Sequence, residues 1–303
     1  MNVALQITMK KNTIILALVF LALLAAAYLV TMKPGEQSVS TDAGNPLVEI
    51  DSAAVDKLEI RAPNSIVILV KQGTEWFLQV PLSYKASQTN VANALQQTKS
   101  MKVKNIVSSN AEKHNLFQVD STGTTVTVYE NGAQKAAFIL GKPGPSFSDN
   151  YARLVSSADV ALVGGANSYT FNKPMKDWRD QTIFASPKEL ITSVLFQYGD
   201  TAFSLAFKDS TWTIGNDSVD ASAVQSFLSS LSSVEADEFV DTLITPQPKM
   251  TAQISVGDVQ LRFHETKDRA NYYVQSSASR QWYEIQPWRA NQLLKRKKDL
   301  VKK

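Results

Sequence analysis

The run Thr13 to Met32, TIILALVFLALLAAAYLVTM, carries no charge and is almost wholly apolar, and it restricts what the chain can fold into more than any other stretch. At about 1.5 Å per residue a helix of this length spans roughly 30 Å, the hydrocarbon thickness of a bilayer, and satisfies its own backbone groups. The remainder is therefore expected to work beside a membrane. Lys10 and Lys11 precede the run, whereas Lys33 after it is balanced by Glu36 and Asp42, so the positive-inside rule puts the N-terminus in the cytoplasm. The expected location is the inner (cytoplasmic) membrane, crossed once, with the large C-terminal part extracytoplasmic (periplasmic). A cleaved signal is the competing reading, with Lys10-Lys11 as charged region, Ile14 to Leu24 as apolar region and Ala25-Ala26-Ala27 as cleavage site. The run continues through Tyr28, Leu29 and Val30, further than a signal needs, which favours an uncleaved anchor. A lipoprotein is excluded, because the chain has no cysteine to modify. Met9 before the two lysines reads as a natural start, with residues 1–8 as an upstream extension.

The body beyond the anchor has an ordinary composition, and the net charge of +3 over 303 residues is unremarkable. Lack of cysteine also removes disulfides, thiolate catalysis and cysteine metal sites, so hydrophobic cores must supply the stability. The segment KPGEQSVSTDAGNP, Lys33 to Pro46, is polar and aperiodic; as a flexible coil it would span on the order of 20 Å and tether the body to the membrane.

The body itself contains a repeat. VDKLEIRAPNSIVILVKQGTEWFLQV from Val55 and ITSVLFQYGDTAFSLAFKDSTWTIG from Ile191 each give a short apolar strand, a turn, an alternating strand, a second turn, and a tryptophan opening a third strand, Trp76 and Trp212. Alternation at Ile66, Ile68, Val70 and at Phe203, Leu205, Phe207 predicts antiparallel hairpins with one buried face. Both copies then turn helical, with Ser87 and Asp220 as N-caps and Val91, Ala94, Leu95, Thr98 or Val224, Phe227, Leu228, Leu231 on the apolar face. Strand-like stretches come next at Val103 to Val107 and Ala236 to Val240, then hairpins from Thr124 and Thr251, then Asn150-Tyr151 or Asn271-Tyr272, and closing strands at Val160 and Trp282. The expected fold is α+β: one N-terminal transmembrane helix, then two similar halves of mostly antiparallel sheet, each packed with a helix. In residue ranges this is a cytoplasmic N-terminus 1–12, anchor 13–32, tether 33–47, first repeat 48–186, and second repeat 187–303 with a basic C-terminal helix.

The order anchor, tether, W-x-L at Trp76, helix, V-x-V-Y-x-N-G at Val126, N-Y-A-R at Asn150 and DWRDQTIF from Asp177 to Phe184 resembles the bacterial domain-of-unknown-function family 4340, over about Val55 to Gly215. Ala86-Ser87 stands where similar proteins often have Ala-Asp, which keeps the cap. The resemblance implies a membrane-anchored protein encoded beside ABC transporters of the gliding-motility type (GldF and GldG), and it supplies no catalytic residues.

Chemistry has few places to reside. His114 and His264 are the only histidines and neither has metal-ligand spacing, so no metal site or cofactor is expected. G-x-S-x-G is missing. Gly141-Lys142-Pro143-Gly144-Pro145-Ser146 lacks the phosphate-loop pattern, and its prolines lack amide donors, so it reads as a rigid turn, with Gly164-Gly165 a loop after a strand. Asp149, Asp177 and Asp180 lie near aromatic or arginine neighbours; a hydrolase would need convergent acids around Asp149 and Asp180. The simpler expectation is that Trp178 packs between the halves while Arg179 pairs with a nearby acid. Trp76 and Trp212, equivalent in the two copies, are expected in the cores. PWRANQLLKRKKDLVKK, Pro287 to Lys303, predicts a helix begun by proline, with Ala290, Leu293, Leu294 and Val301 on one side. Its Arg296, Lys297 and Lys298 suit anionic headgroups or an acidic partner surface as much as plain solvent. Nucleic acid is disfavoured by topology and by the absence of interleaved aromatics.

The expected protein is thus not an enzyme. It is a membrane-anchored accessory subunit of an ABC-type permease and ATPase complex, binding a partner protein or exported substrate. The alternative is an envelope scaffold that binds cell-wall polymer or surface proteins without a transporter. Candidate partner contacts are Trp178, Arg179, Asp180, Arg296, Lys297 and Lys298.

Overall fold

A computed structural model describes residues 43–302, apart from 147, 200 and 243. The expected anchor and most of the tether lie outside the described residues, and no described helix is long and apolar enough to cross a membrane. The chain divides into two compact units, one of 43–83 with Val91–Asn172, the other of Tyr84–Asn90 with Lys173–Lys303.

The first half contains β1 (Val55–Ala62), β2 (Ser65–Gln72), β3 (Glu75–Val80), the short β4 (Tyr84–Lys85), α1 (Gln88–Ser100), β5 (Lys102–Ser108), β6 (Thr124–Glu130), β7 (Ala133–Pro143), β8 (Asp149–Leu154) and β9 (Val160–Gly164). The sheet of the first unit runs β3-β2-β1-β6-β7-β8-β9-β5, antiparallel at each pairing. Alternating side chains make its buried face: Leu58 and Ile60 on β1, Val67 and Leu69 on β2, Val126 and Val128 on β6. The β6–β7 hairpin turns on Asn131-Gly132, both left-handed at φ 52° and 80°, which twists the hairpin as its strands require. Helix α1 buries Val91, Ala94, Leu95 and Thr98, the expected face. The last residues of the expected tether are held in place: Gly44 N donates to Val103 O, Val103 N to Asn45 O, and Leu47 N to Met101 O, with Leu47 and Val48 buried.

The second unit contains β10 (Thr182–Ala185), β11 (Ser193–Tyr198), β12 (Thr201–Lys208), β13 (Thr211–Ile214), β14 (Asp217–Ser218), α2 (Ala221–Leu231), β15 (Ser233–Glu235), β16 (Glu238–Val240), β17 (Met250–Val256), β18 (Val259–Glu265), β19 (Tyr272–Ser276), β20 (Trp282–Ile285) and α3 (Pro287–Leu293). Its large sheet runs β14-β13-β12-β11-β17-β18-β19-β20-β16, and β10 pairs with β15 apart from it. From third strand to last, this is the connectivity of the first sheet. The fold is α+β with mostly antiparallel sheet, and the repeat seen in the sequence is a repeat of topology. Asp220 caps α2 by accepting from Ser222 N and Ala223 N, and Val224, Phe227, Leu228 and Leu231 are buried.

Three expectations need correction. The buried face of β2 is Val67 and Leu69, 2% and 0% exposed, and not the alternation of Ile66, Ile68 and Val70, of which Ile66 is 43% exposed; on β12 Leu205 is buried while Phe207 is 45% exposed. The C-terminal stretch is not one helix: α3 ends at Leu293, a turn of 3-10 helix covers Lys297–Asp299, and Val301 pairs with Val219. Burial of Leu300, 0% exposed, holds the chain out of the helical path. Trp76 is in the core at 7% exposed, but Trp212, near the sheet margin, is only half-buried and tilts against the exposed Phe207 with centroids 5.4 Å apart.

Candidate functional site

Trp178 and Arg179 stand at the end of a single 3-10 turn, Met175–Trp178, where the backbone becomes extended and runs beside the Tyr84–Asn90 stretch. Ser87 N donates to Trp178 O at 2.9 Å, Asp180 N to Lys85 O at 2.8 Å, and the Asn90 amide to Asp177 O at 2.6 Å. The Arg179 side chain, 3% exposed, lies between two rings of the same unit, 3.6 Å from the Phe239 centroid and 4.3 Å from that of Tyr84. Its Nη1 and Nη2 donate to the two carboxylate oxygens of Asp241 at 2.7 and 2.9 Å, and Nη2 also reaches Gln281 Oε1 at 3.3 Å. The nearby acid expected for Arg179 is thus Asp241. Burial and the neighbouring Tyr283 hydroxyl, 3.0 Å away, push the Tyr84 phenol far above its ordinary value. Trp178 is fully buried, and its Nε1 and the Arg179 Nε have no hydrogen-bond partner among the described residues. Asp180 accepts from Thr182 N at 3.0 Å and faces Lys85 at 3.9 Å. The arrangement is a closed clasp. A planar, weakly hydrated cation is stacked on both faces and neutralised at one end, which ties segments together and leaves no open reacting face.

Arg296, Lys297 and Lys298 form a second neighbourhood, on the surface, with partners of their own. The Arg296 guanidinium covers the Tyr198 ring at 3.6 Å, and its backbone N–H donates to Asp299 Oδ2 at 2.8 Å. Tyr198 donates to Lys295 O at 2.6 Å, and burial pushes its phenol up to about 12. Lys297 pairs with Asp217 at 2.5 Å, and Lys298 is exposed.

Asp149, 4% exposed, is gripped by Lys104, whose ammonium lies 2.8 and 2.9 Å from its two oxygens. It belongs to the first unit, Asp180 to the second. His114 meets Ala158 O, and His264 lies buried on β18. No group of three or more His, Asp or Glu side chains able to hold a metal occurs among the described residues.

The feature that the sequence hid is a polar cleft of about 550 Å³ in the first unit, formed by the β1–β2 turn, the 118–124 segment, the end of β7 and residues 168–172. Lys142, in the stretch read as a rigid turn, lines it from the last residues of β7. The signals available were the glycines flanking the loop, Gly123 and Gly141, at which a Cβ would meet Gln118 O at 2.3 Å and Phe117 O at 2.1 Å.

No curated protein and no solved structure matches this chain. A family model described as a domain of unknown function (DUF4340) matches residues 76–256, from Trp76 on β3 through the end of β17. That span is more than half of the sequence and takes in Arg179 with Tyr84, Phe239 and Asp241, the cleft lining other than the β1–β2 turn, and both helices α1 and α2, so the chain belongs to the domain-of-unknown-function family DUF4340.

Proposed function

We propose that this chain is a non-catalytic, membrane-anchored accessory subunit of an ABC-type transport complex, with extracytoplasmic halves that bind a partner protein or an exported substrate. The observation that carries the reading is the joining, in one chain of this family, of the apolar run Thr13 to Met32 to a duplicated sheet body. Support comes from the buried ionic groups. Arg179 is closed off by Tyr84, Phe239 and Asp241, and Asp149 by Lys104, as structural pairs are. The exposed Arg296 and Lys298 remain the candidate contacts for an acidic partner or a leaflet of anionic lipid. The test is in-cell crosslinking of the tagged full-length chain, gentle detergent extraction and mass spectrometry. Recovery of a permease with its ATPase is the expected result; recovery of cell-wall and surface proteins without them overturns it.

A second reading is favoured by the polar cleft of the first unit, which suits an envelope scaffold that binds cell-wall polymer without a transporter. The same experiment separates the two.

A further inference from the structure

The cleft of about 550 Å³ lies within the size range of small-molecule sites, and its lining is that of a ligand site more than of a core. At its floor Thr124, 2% exposed, donates to Asn172 Oδ1 at 2.5 Å, and Ser168 is 8% exposed. Around the opening stand Asn64, Gln118, Thr122 and Tyr169, the last 69% exposed. Among the described residues Lys142 is the one charged member of the lining, and the Asp120 carboxylate behind the wall is taken up by Thr122, whose N and Oγ1 donate to it at 3.0 and 2.6 Å. Its amine lies 5.8 Å from the centroids of both Phe117 and Tyr151, two rings outside the lining, packed on the small cluster of Val119, Ile139 and Val160, that favour a cation at the edge of the cleft.

The wall is also held under strain. Gln118 is left-handed at φ 56°, a conformation that non-glycine residues rarely adopt and that persists where surrounding packing imposes it. The packing is that of Gly123 and Gly141, which admit the 117–119 backbone to distances that any side chain would forbid. The rim is therefore formed before a ligand arrives.

We propose that this cleft binds a saccharide bearing a carboxylate, its ring stacked on Tyr169 and its acid paired with Lys142. Amide and hydroxyl groups that both donate and accept match a hydroxyl-rich ligand, and an exposed phenol ring offers an apolar face to the C–H side of a pyranose. One ammonium in the lining, with the Asp120 carboxylate already bonded to Thr122, selects a single negative charge. A phosphate-rich ligand would call for several cations or a row of amide donors, and Pro143 and Pro145 supply none. The inference does not rest on the transporter reading, and it names the ligand class that the scaffold reading calls for.

The test is calorimetric titration of the full-length chain in detergent micelles with oligogalacturonate, an uncharged galacto-oligosaccharide of equal length, and inorganic phosphate. Saturable binding of the uronate is expected, with the uncharged sugar about tenfold weaker and phosphate alone not saturating. Lys142→Gln should abolish the preference for the charged sugar, Tyr169→Ala should weaken both sugars by about tenfold, and Lys249→Gln, on an exposed lysine away from the cleft, should change neither. Both cleft substitutions fall on exposed side chains, so the fold is retained. No saturable binding by the unaltered chain, binding indifferent to Lys142→Gln and Tyr169→Ala, or phosphate binding as tight as the uronate would each overturn the proposal.

Discussion

Arg179 and Asp241 meet through two hydrogen bonds, at 2.7 and 2.9 Å, across a sequence separation of 62 residues. Their environments are unequal: the Arg179 side chain is 3% exposed and that of Asp241 46%. The cation has left water and the carboxylate has not. The lost hydration is replaced by the carboxylate fork at one end and the faces of Tyr84 and Phe239 on either side, a combination that a guanidinium accepts and an ammonium does not.

Arg179→Lys is therefore expected to behave as a disruptive change. It keeps the charge but loses both the two-point bond and the stacking, and should lower the stability of the second unit by about 2–4 kcal/mol. Asp241→Asn, which removes a half-exposed partner, should cost less, about 1–2 kcal/mol. Urea unfolding of the two variants beside the unaltered chain checks both, and an Arg179→Lys midpoint equal to the parent would refute the clasp.

His264 sets a pH dependence. Its Nδ1 donates to Pro248 O at 2.9 Å, its Nε2 is buried without a partner among the described residues, and its ring lies 5.0 Å from that of Trp282. Burial holds its pKa below the ordinary 6.5, Arg262 adds to the effect, and the Pro248 carbonyl opposes it. Below the ordinary value the unfolded chain then binds more protons than the folded one. The contribution is fully present above that value and is lost as pH falls through the depressed one. Unfolding free energy should decline as pH falls below the ordinary 6.5, and His264→Leu should shrink that slope. An unchanged slope in the variant would assign the loss to other groups.

The hairpins and helices were legible because each announces itself locally. Val126 and Val128 alternate, Asn131-Gly132 turns, Asp220 caps, and Phe227 and Leu228 complete a stripe. Features that depend on distant partners stayed hidden. Nothing near Arg179 in the sequence points to Asp241, and the cleft draws generic polar residues from separate segments around Lys142. The tether ends early because Gly44 and Asn45 pair with Val103 through backbone groups alone, which no side-chain pattern reveals. In the C-terminal stretch, helical spacing selected Leu294 and Val301, while the residue that decides the path is Leu300, off that spacing and fully buried.

Gly141→Ala should destabilise the first unit although it adds one methyl group. The new Cβ would lie 2.1 Å from Phe117 O and 2.8 Å from Val119 Cγ1, and neither the backbone nor the buried Val119 can yield cheaply. A cost of about 1–3 kcal/mol is expected, in the range of other overpacked sites. Hydrogen exchange provides the readout: protection should fall in the 117–123 loop and along β7 and stay unchanged in the second unit. Equal protection throughout would mean that the loop moves aside freely and that Gln118 is not held by this contact.

The C-terminal segment gives the last test, because its two descriptions predict opposite results. If the tail were chiefly a solvated basic helix, residues beyond Lys295 would matter little for stability. In the structure Leu300 is fully buried and its carbonyl accepts from Asp220 N at 2.8 Å, Val301 pairs with Val219, and Lys302 N donates to Ser218 O at 3.1 Å. The tail thus covers the β14 edge and bonds to the residue that caps α2, so its loss reaches the helix. Leu300→Ala is expected to cost about 2–4 kcal/mol, as for other large-to-small changes in a core. Lys298→Ala, on an exposed side chain, should stay within about 0.5 kcal/mol of the parent. Thermal unfolding of the two variants decides the matter: a silent Leu300→Ala would return the segment to a surface role, and a large loss makes it the closing element of the second unit.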